Sequence, residues 1–232
     1  MSTQKTGVLI LHGFAGDIKE VLPLARFLQE KGYVVECPTL EGHGMTRRQL
    51  KLSNRRQWLT SAEEGYKRLR MRSDHIIVIG FSMGGLLGLN LAAKYPVEML
   101  FTLCTPYHYW DVRQAYSYLR EDFRTVAARY LNSMFRIPLR SMLEFRKLLT
   151  ETKRLLPEIT CPYTIVQGRR DDTVQSVSAE HLRRQVGSDD VQVEYFERSG
   201  HLILLGEEAD DVIHYVHQTL ERKLPHLAGR YR

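Results

Sequence analysis

Three kinds of side chain that together make an activated nucleophile occur in this 232-residue chain at positions that could bring them together. Ser82 stands in Gly80-Phe81-Ser82-Met83-Gly84-Gly85. A serine hydroxyl is a poor nucleophile at neutral pH; it needs a base to take its proton and a third group to orient that base. Histidine suits the base because its pKa lies near the working pH. Of the nine histidines, His201 follows directly on the strand-like run Val191–Phe196, in Arg198-Ser199-Gly200-His201-Leu202. His12 belongs to the first loop, beside a different candidate role. His181, His214 and His217 fall in helical patterns, and His75 precedes its strand, at the opposite end. For the acid, Gln167-Gly168-Arg169-Arg170-Asp171-Asp172-Thr173-Val174 follows another strand pattern. Adjacent aspartates in a turn also serve as turn formers or caps, so residue type leaves Asp171 and Asp172 open.

These residues need a scaffold that gathers strand ends. Around Ser82 the chain reads strand, sharp turn, helix. His75-Ile76-Ile77-Val78-Ile79 is a β-branched run, and an apolar segment continues from the turn to Tyr95-Pro96. That context makes Gly-x-Ser-x-Gly a nucleophile elbow, whose tight turn demands neighbours without Cβ atoms. The new helix's N-terminus favours negative charge beside the serine. An oxyanion site needs two backbone N–H donors. Met83, following the serine, is one candidate. Phe14, in the loop His12-Gly13-Phe14-Ala15-Gly16-Asp17, is the other.

Further strands are expected at Gly7–Leu11, Tyr33–Pro38, Met99–Cys104 and Tyr163–Gln167, alternating with helical patterns. A polar connection leads to a helix beginning near Gln57, the last helix ends near Leu220, and the tail after Lys223 is irregular. Such alternation calls for a parallel sheet covered on both faces. From Thr105 to about Pro157 it breaks into helical patterns alone, positioned to roof the strand ends where open α/β sheets bind ligands. The expectation is a single domain, 1–232, with a helical cap insertion at about 105–157. Tyr107, Tyr109, Trp110, Tyr116, Tyr118, Phe123, Tyr130 and Phe135 make the cap aromatic, and Arg113, Arg120, Arg124, Arg129, Arg136 and Arg140 make it basic.

The composition is that of an ordinary globular protein, 43% hydrophobic and 26% charged, with a net charge of +6 dispersed along the chain. No nucleic-acid motif accompanies that charge, and no apolar run reaches membrane-span length. Cys37, Cys104 and Cys161 are odd in number and lack metal-ligand spacing, which suits free thiols in a reducing compartment. Nothing at the N-terminus reads as a signal peptide, so a cytoplasmic location is the expectation.

Together His12-Gly13-Phe14, the elbow, Gly168-Arg169-Arg170-Asp171 and Ser199-Gly200-His201 resemble the α/β-hydrolase carboxylesterases, particularly small bacterial esterases similar to monoacylglycerol lipases. The resemblance covers nearly the whole chain, including Glu41-Gly42-His43-Gly44. It implies an α/β-hydrolase fold with a mostly parallel sheet of about six to seven strands, helices on both faces and a small cap. It also implies a catalytic set of Ser82, Asp171 and His201, selecting Asp171 through the family's Gly-x-x-Asp-x-x-Val loop, with Phe14 and Met83 as oxyanion donors. The activity implied is hydrolysis of a small-molecule acyl ester of short to medium chain, with no metal or organic cofactor, no nucleic-acid partner and no stable membrane insertion. Monoacylglycerol lipase, thioesterase, acyltransferase and carbon–carbon bond hydrolase are the alternatives on the same elbow. A non-catalytic receptor on this fold is more remote.

Overall fold

The computed structural model describes residues 5–108 and 137–228. Six strands form one sheet: β1 (Thr6–Leu11), β2 (Val34–Glu36), β3 (His75–Phe81), β4 (Met99–Leu103), β5 (Tyr163–Gly168) and β6 (Val191–Phe196). Their order is β2-β1-β3-β4-β5-β6, and every neighbouring pair is parallel. The helices are α1 (Leu22–Glu30), α2 (Arg47–Leu52), α3 (Arg55–Arg70), α4 (Met83–Lys94), α5 (Leu139–Leu155), α6 (Val177–Gln185) and α7 (Ala209–Ala228). This six-strand, all-parallel sheet with its helices is the expected α/β-hydrolase architecture.

The continuous apolar strands follow from burial on both faces. Val8, Ile10, Ile77, Ile79 and Phe101 point into a core closed by Leu24 and Leu28 of α1 and Val212 and Val216 of α7. Their strand neighbours Leu9, Leu11, Ile76, Val78 and Leu100 point the other way, onto Trp58 of α3, Leu86 and Leu87 of α4, and Leu148 of α5. Each such side chain contributes about 1.5–3 kcal/mol relative to exposure. The sheet is therefore the rigid plate on which the loops are mounted.

Two boundaries differ from the sequence expectation. The polar connection before Gln57 contains two helix starts, each with a capping box: Thr46 with Gln49, and Asn54 with Gln57. In both, the cap side chain accepts from the third residue's N–H while that residue's side chain reaches back, which fixes where the helix starts. The last helix also runs through Lys223 to Ala228, with Pro225 inside it. Lys223 Nζ bonds Asp190 at 2.6 Å and Arg222 bonds Gln192 at 3.0 Å, while Leu224 packs on the core. These contacts offset the N–H that proline removes.

Strand β1 pairs with β2 on one side and β3 on the other, so successive connections leave β1 and β3 in opposite directions across the sheet. That switch point opens a crevice at the C-terminal strand ends. The loop after β1 and the turn after β3 both lie there. Of the expected cap, Tyr109, Trp110, Tyr116, Tyr118, Phe123, Tyr130, Phe135, Arg113, Arg120, Arg124, Arg129 and Arg136 lie outside the described residues. Tyr107 is half-buried against the core and Arg140 is exposed on α5. Among the described residues no helix is long and apolar enough to cross a membrane.

Candidate active site

Ser82 joins β3 to α4 with φ 52° and ψ −119°. An L-residue holds that conformation only at a cost of roughly 1–3 kcal/mol, met by surrounding structure. Here the Ser82 N–H donates to the Leu103 carbonyl of β4 at 2.8 Å, and Thr105 Oγ1 donates to the Ser82 carbonyl at 3.2 Å. Gly84 permits the turn's closeness: a Cβ there would lie 2.2 Å from the Leu11 carbonyl oxygen. The elbow is thereby pressed against the end of β1, beside the His12 loop.

Ser82 Oγ lies 3.1 Å from His201 Nε2, and His201 Nδ1 lies 2.9 Å from Asp171 Oδ2. With Asp171 accepting at Nδ1, the neutral imidazole carries its proton there and offers the Nε2 lone pair to the serine O–H. Asp171 is buried and held from several sides. Its Oδ1 accepts from the N–H groups of Thr173 at 2.9 Å and Val174 at 2.7 Å, and Oδ2 accepts from Gln167 Nε2 at 3.2 Å. Asp172, next to it, is exposed and accepts from Thr173 Oγ1 at 3.2 Å. Of the two aspartates the sequence leaves open, Asp171 is the one whose carboxylate the structure sets against His201 Nδ1.

The histidine loop has its own support. The Arg198 N–H and Ser199 Oγ both donate to Glu208 Oε2, at 2.9 and 2.7 Å. Gly168 lets this loop meet the end of β5, since a Cβ there would stand 2.4 Å from the Ser199 carbonyl oxygen. Gln167, Thr105 and Glu208 escaped the sequence reading. Each acts through a contact distant in sequence or through a backbone turn, and no local motif marks it.

His12 is buried. Its Nε2 accepts from the Leu40 N–H at 3.2 Å, so the proton sits on Nδ1 and donates to the Gly13 carbonyl at 2.9 Å. Burial lowers its pKa, keeping it neutral. It pins the first loop. Phe14 in that loop stacks on Phe145 of α5, ring centroids 5.0 Å apart, and lies near Trp58 and His43. Met83, buried, opens α4, where first-turn N–H groups lack intrahelical partners.

The other histidines lie elsewhere: His75 beside Glu98 at the start of β3, His181 stacked on Tyr107, and His214 and His217 on α7 against Phe27. One further group adjoins the site. Cys104 Sγ has a ligand-type atom of Asp171 and of His201 within 4.8 Å. Burial pushes its thiol well above the usual range, and the Asp171 charge adds to this. Asp171 and His201 already face each other in the hydrogen-bonded chain, and Cys104 lies beside them.

Comparison with known proteins covers nearly all of this scaffold. A carboxylesterase of Bacillus subtilis (strain 168) is 29% identical over 226 residues, covering 93% of this chain and 92% of that protein. The thermostable monoacylglycerol lipase of Bacillus sp. (strain H-257) is 28% identical over 218 residues, covering 89% and 87%. Among solved structures, one from the work on the metagenome-derived lipolytic enzymes LipS and LipT superposes with a TM-score of 0.82 at 21% identity, covering 94% of each chain. A soluble variant of the Saccharomyces cerevisiae monoglyceride lipase gives 0.74 at 18% identity, covering 96% of this chain and 88% of that one. With residues 8–214 matching its family pattern, the chain belongs to the alpha/beta hydrolase family.

Proposed function

We propose that this protein is a serine carboxylesterase that hydrolyses short- to medium-chain carboxylic esters through an acyl-serine intermediate. The observation that carries the reading is the unbroken hydrogen-bonded chain from Ser82 Oγ through His201 to buried Asp171. The two relatives that act on esters, a carboxylesterase and a monoacylglycerol lipase, support the substrate class.

In the first step His201 Nε2 takes the Ser82 proton as Oγ attacks the ester carbonyl. The oxyanion is received by the N–H groups of Phe14 and Met83. Among the described residues the Phe14 N–H has no hydrogen-bond partner, as an oxyanion donor requires. The imidazolium then protonates the leaving alcohol as the C–O bond breaks. Water adds to the acyl-enzyme with His201 as base, and collapse returns the proton to Ser82 and releases the acid. Asp171 stays ionised and holds the imidazole tautomer. The steps call on no metal or organic cofactor. The whole chain acts as one domain, with the segment at about 105–157 as its cap.

The test is a panel of chromogenic esters of increasing acyl length, with monoacylglycerols and acyl thioesters as separate arms. Wild type turns over the short and medium esters, and Ser82→Ala loses at least about 10⁴-fold in kcat. A fluorophosphonate probe labels wild type at Ser82 and leaves Ser82→Ala unlabelled. Activity rising steadily to long-chain triglycerides would overturn the chain-length reading. Preference for monoacylglycerols or thioesters moves the assignment to that substrate, and neither turnover nor labelling overturns the enzyme reading.

A further inference from the structure

The loop that carries Phe14 is tied down at several points on either side of the Phe14 N–H. His12 Nε2 takes the Leu40 N–H, and the Gly16 carbonyl takes the Gly44 N–H at 3.1 Å. The third tie is a carboxylate. Gly13 N–H donates to Glu20 Oε2 at 3.0 Å, and Glu20 is partly buried beneath the loop. Its carboxylate lies so close to the chain that a Cβ at Gly13 would stand 3.1 Å from Oε2 and one at Gly16 2.1 Å from Oε1. A short turn, Ile18–Glu20, brings it there: Asp17 opens the turn by accepting from the Lys19 N–H at 2.7 Å, and the Glu20 N–H returns to the Asp17 carbonyl at 3.2 Å.

We propose that Glu20 is a positioning residue of the acyl-transfer site: through the Gly13 N–H it fixes the His12–Gly13 peptide plane, the one before the plane that carries the Phe14 N–H. The assignment rests on the reading of Phe14 as an oxyanion donor. A hydrogen bond from an N–H to a carboxylate is charge-assisted and about twice as strong as a neutral one. It rigidifies the backbone one residue before the donor, where a displacement of about 1 Å costs up to 100-fold in rate. Burial pushes the Glu20 carboxyl upward; the Gly13 hydrogen bond and the His201 charge oppose this, and Asp17 adds to it.

The clamp is read directly by NMR with selective ¹⁵N-glycine labelling; the chain has 16 glycines, so few signals compete. In Glu20→Ala the Gly13 amide moves upfield and exchanges faster, while in Glu20→Gln, which keeps an acceptor oxygen, it stays near the wild-type position. Glu20→Asp, shorter by one methylene, behaves like Glu20→Ala and serves if the alanine variant folds poorly. In kinetics Glu20→Ala loses about 10- to 100-fold in kcat with KM within threefold. That is less than the loss of an oxyanion donor outright. Glu20→Gln, which keeps the acceptor, keeps most of kcat. An unmoved Gly13 amide in both Glu20→Ala and Glu20→Asp overturns the clamp, whatever ester wild type accepts. A Glu20→Ala kcat within twofold of wild type overturns the positioning role. If wild type labels with fluorophosphonate but cleaves no ester, the rate of Ser82 phosphonylation replaces kcat, so a wrong substrate is distinguished from a wrong role for Glu20.

Discussion

Two aspartates stand side by side after β5, and their surroundings give them opposite uses. Asp171 accepts two backbone N–H groups on one oxygen and faces His201 with the other, while Asp172 stays exposed in the turn. Asp171→Asn keeps the shape, but an amide can present its NH₂ to Nδ1 and favour the wrong tautomer. A loss of roughly 10³- to 10⁴-fold in kcat on the best chromogenic ester is expected, by analogy with the corresponding change in a serine protease. Asp172→Asn should stay within about twofold of wild type. The reverse ranking would move the orienting role to Asp172.

Between the elements, α5 is fastened to the body by a cation. Arg55, the first residue of α3, bonds Glu151 through Nε at 2.8 Å and Nη2 at 2.7 Å, and Glu144 through Nη1 at 2.8 Å. Ser141 Oγ adds a bond to the Leu50 carbonyl at 2.9 Å. Because Phe145 on α5 stacks against Phe14, this fastening also backs the first loop. The Arg55 and Glu144 side chains are 17% and 11% exposed, so the pair is worth more than a surface ion pair. Arg55→Met leaves Glu144 with Lys147 as its remaining ion-pair partner among the described residues. A loss of about 1–3 kcal/mol is expected in urea unfolding, and a loss below about 0.3 kcal/mol would show that the fastening is superficial.

For the molecule as a whole, a buried imidazole couples stability to pH. His43 is almost fully buried beside His12, Phe14 and Trp58. Burial, and then the neighbouring His12, push its pKa down to about 4. The ordinary value of 6.5 applies in the unfolded chain, so the unfolded state binds the proton first. Stability is therefore complete above about pH 6.5 and falls as the pH drops from there towards 4, by about 3 kcal/mol from this group. Urea unfolding from pH 7 to 4 reads the slope, and His43→Phe should flatten it. An unchanged slope in that variant would place the acid sensitivity elsewhere.

Much of this architecture was legible along the chain because it rests on local signals. The β-branched runs marked the central strands, the Gly-x-Ser-x-Gly turn between a strand and a helix marked Ser82, and the loops after strands β5 and β6 marked the Asp171–Asp172 pair and His201. Signals of other kinds were missed. The capping box at Thr46 starts a short helix in a polar stretch where no helix was expected, the one at Asn54 starts the expected helix two residues early, and contacts at Arg222, Lys223 and Leu224 carry the last helix past the expected stop.

The sequence by itself determined the alternation of strands and helices, the elbow and the short set of residues able to serve it, since these depend on side-chain type and spacing within a few residues. Only the tertiary structure decided the strand order, which of two adjacent aspartates bonds His201, that His12 is a pinned neutral histidine, and that Glu20 lies under the first loop. Each depends on groups separated along the chain or on the direction a turn gives a side chain. Such outcomes follow from how the packed sheet brings its C-terminal ends together, and a linear pattern does not encode them.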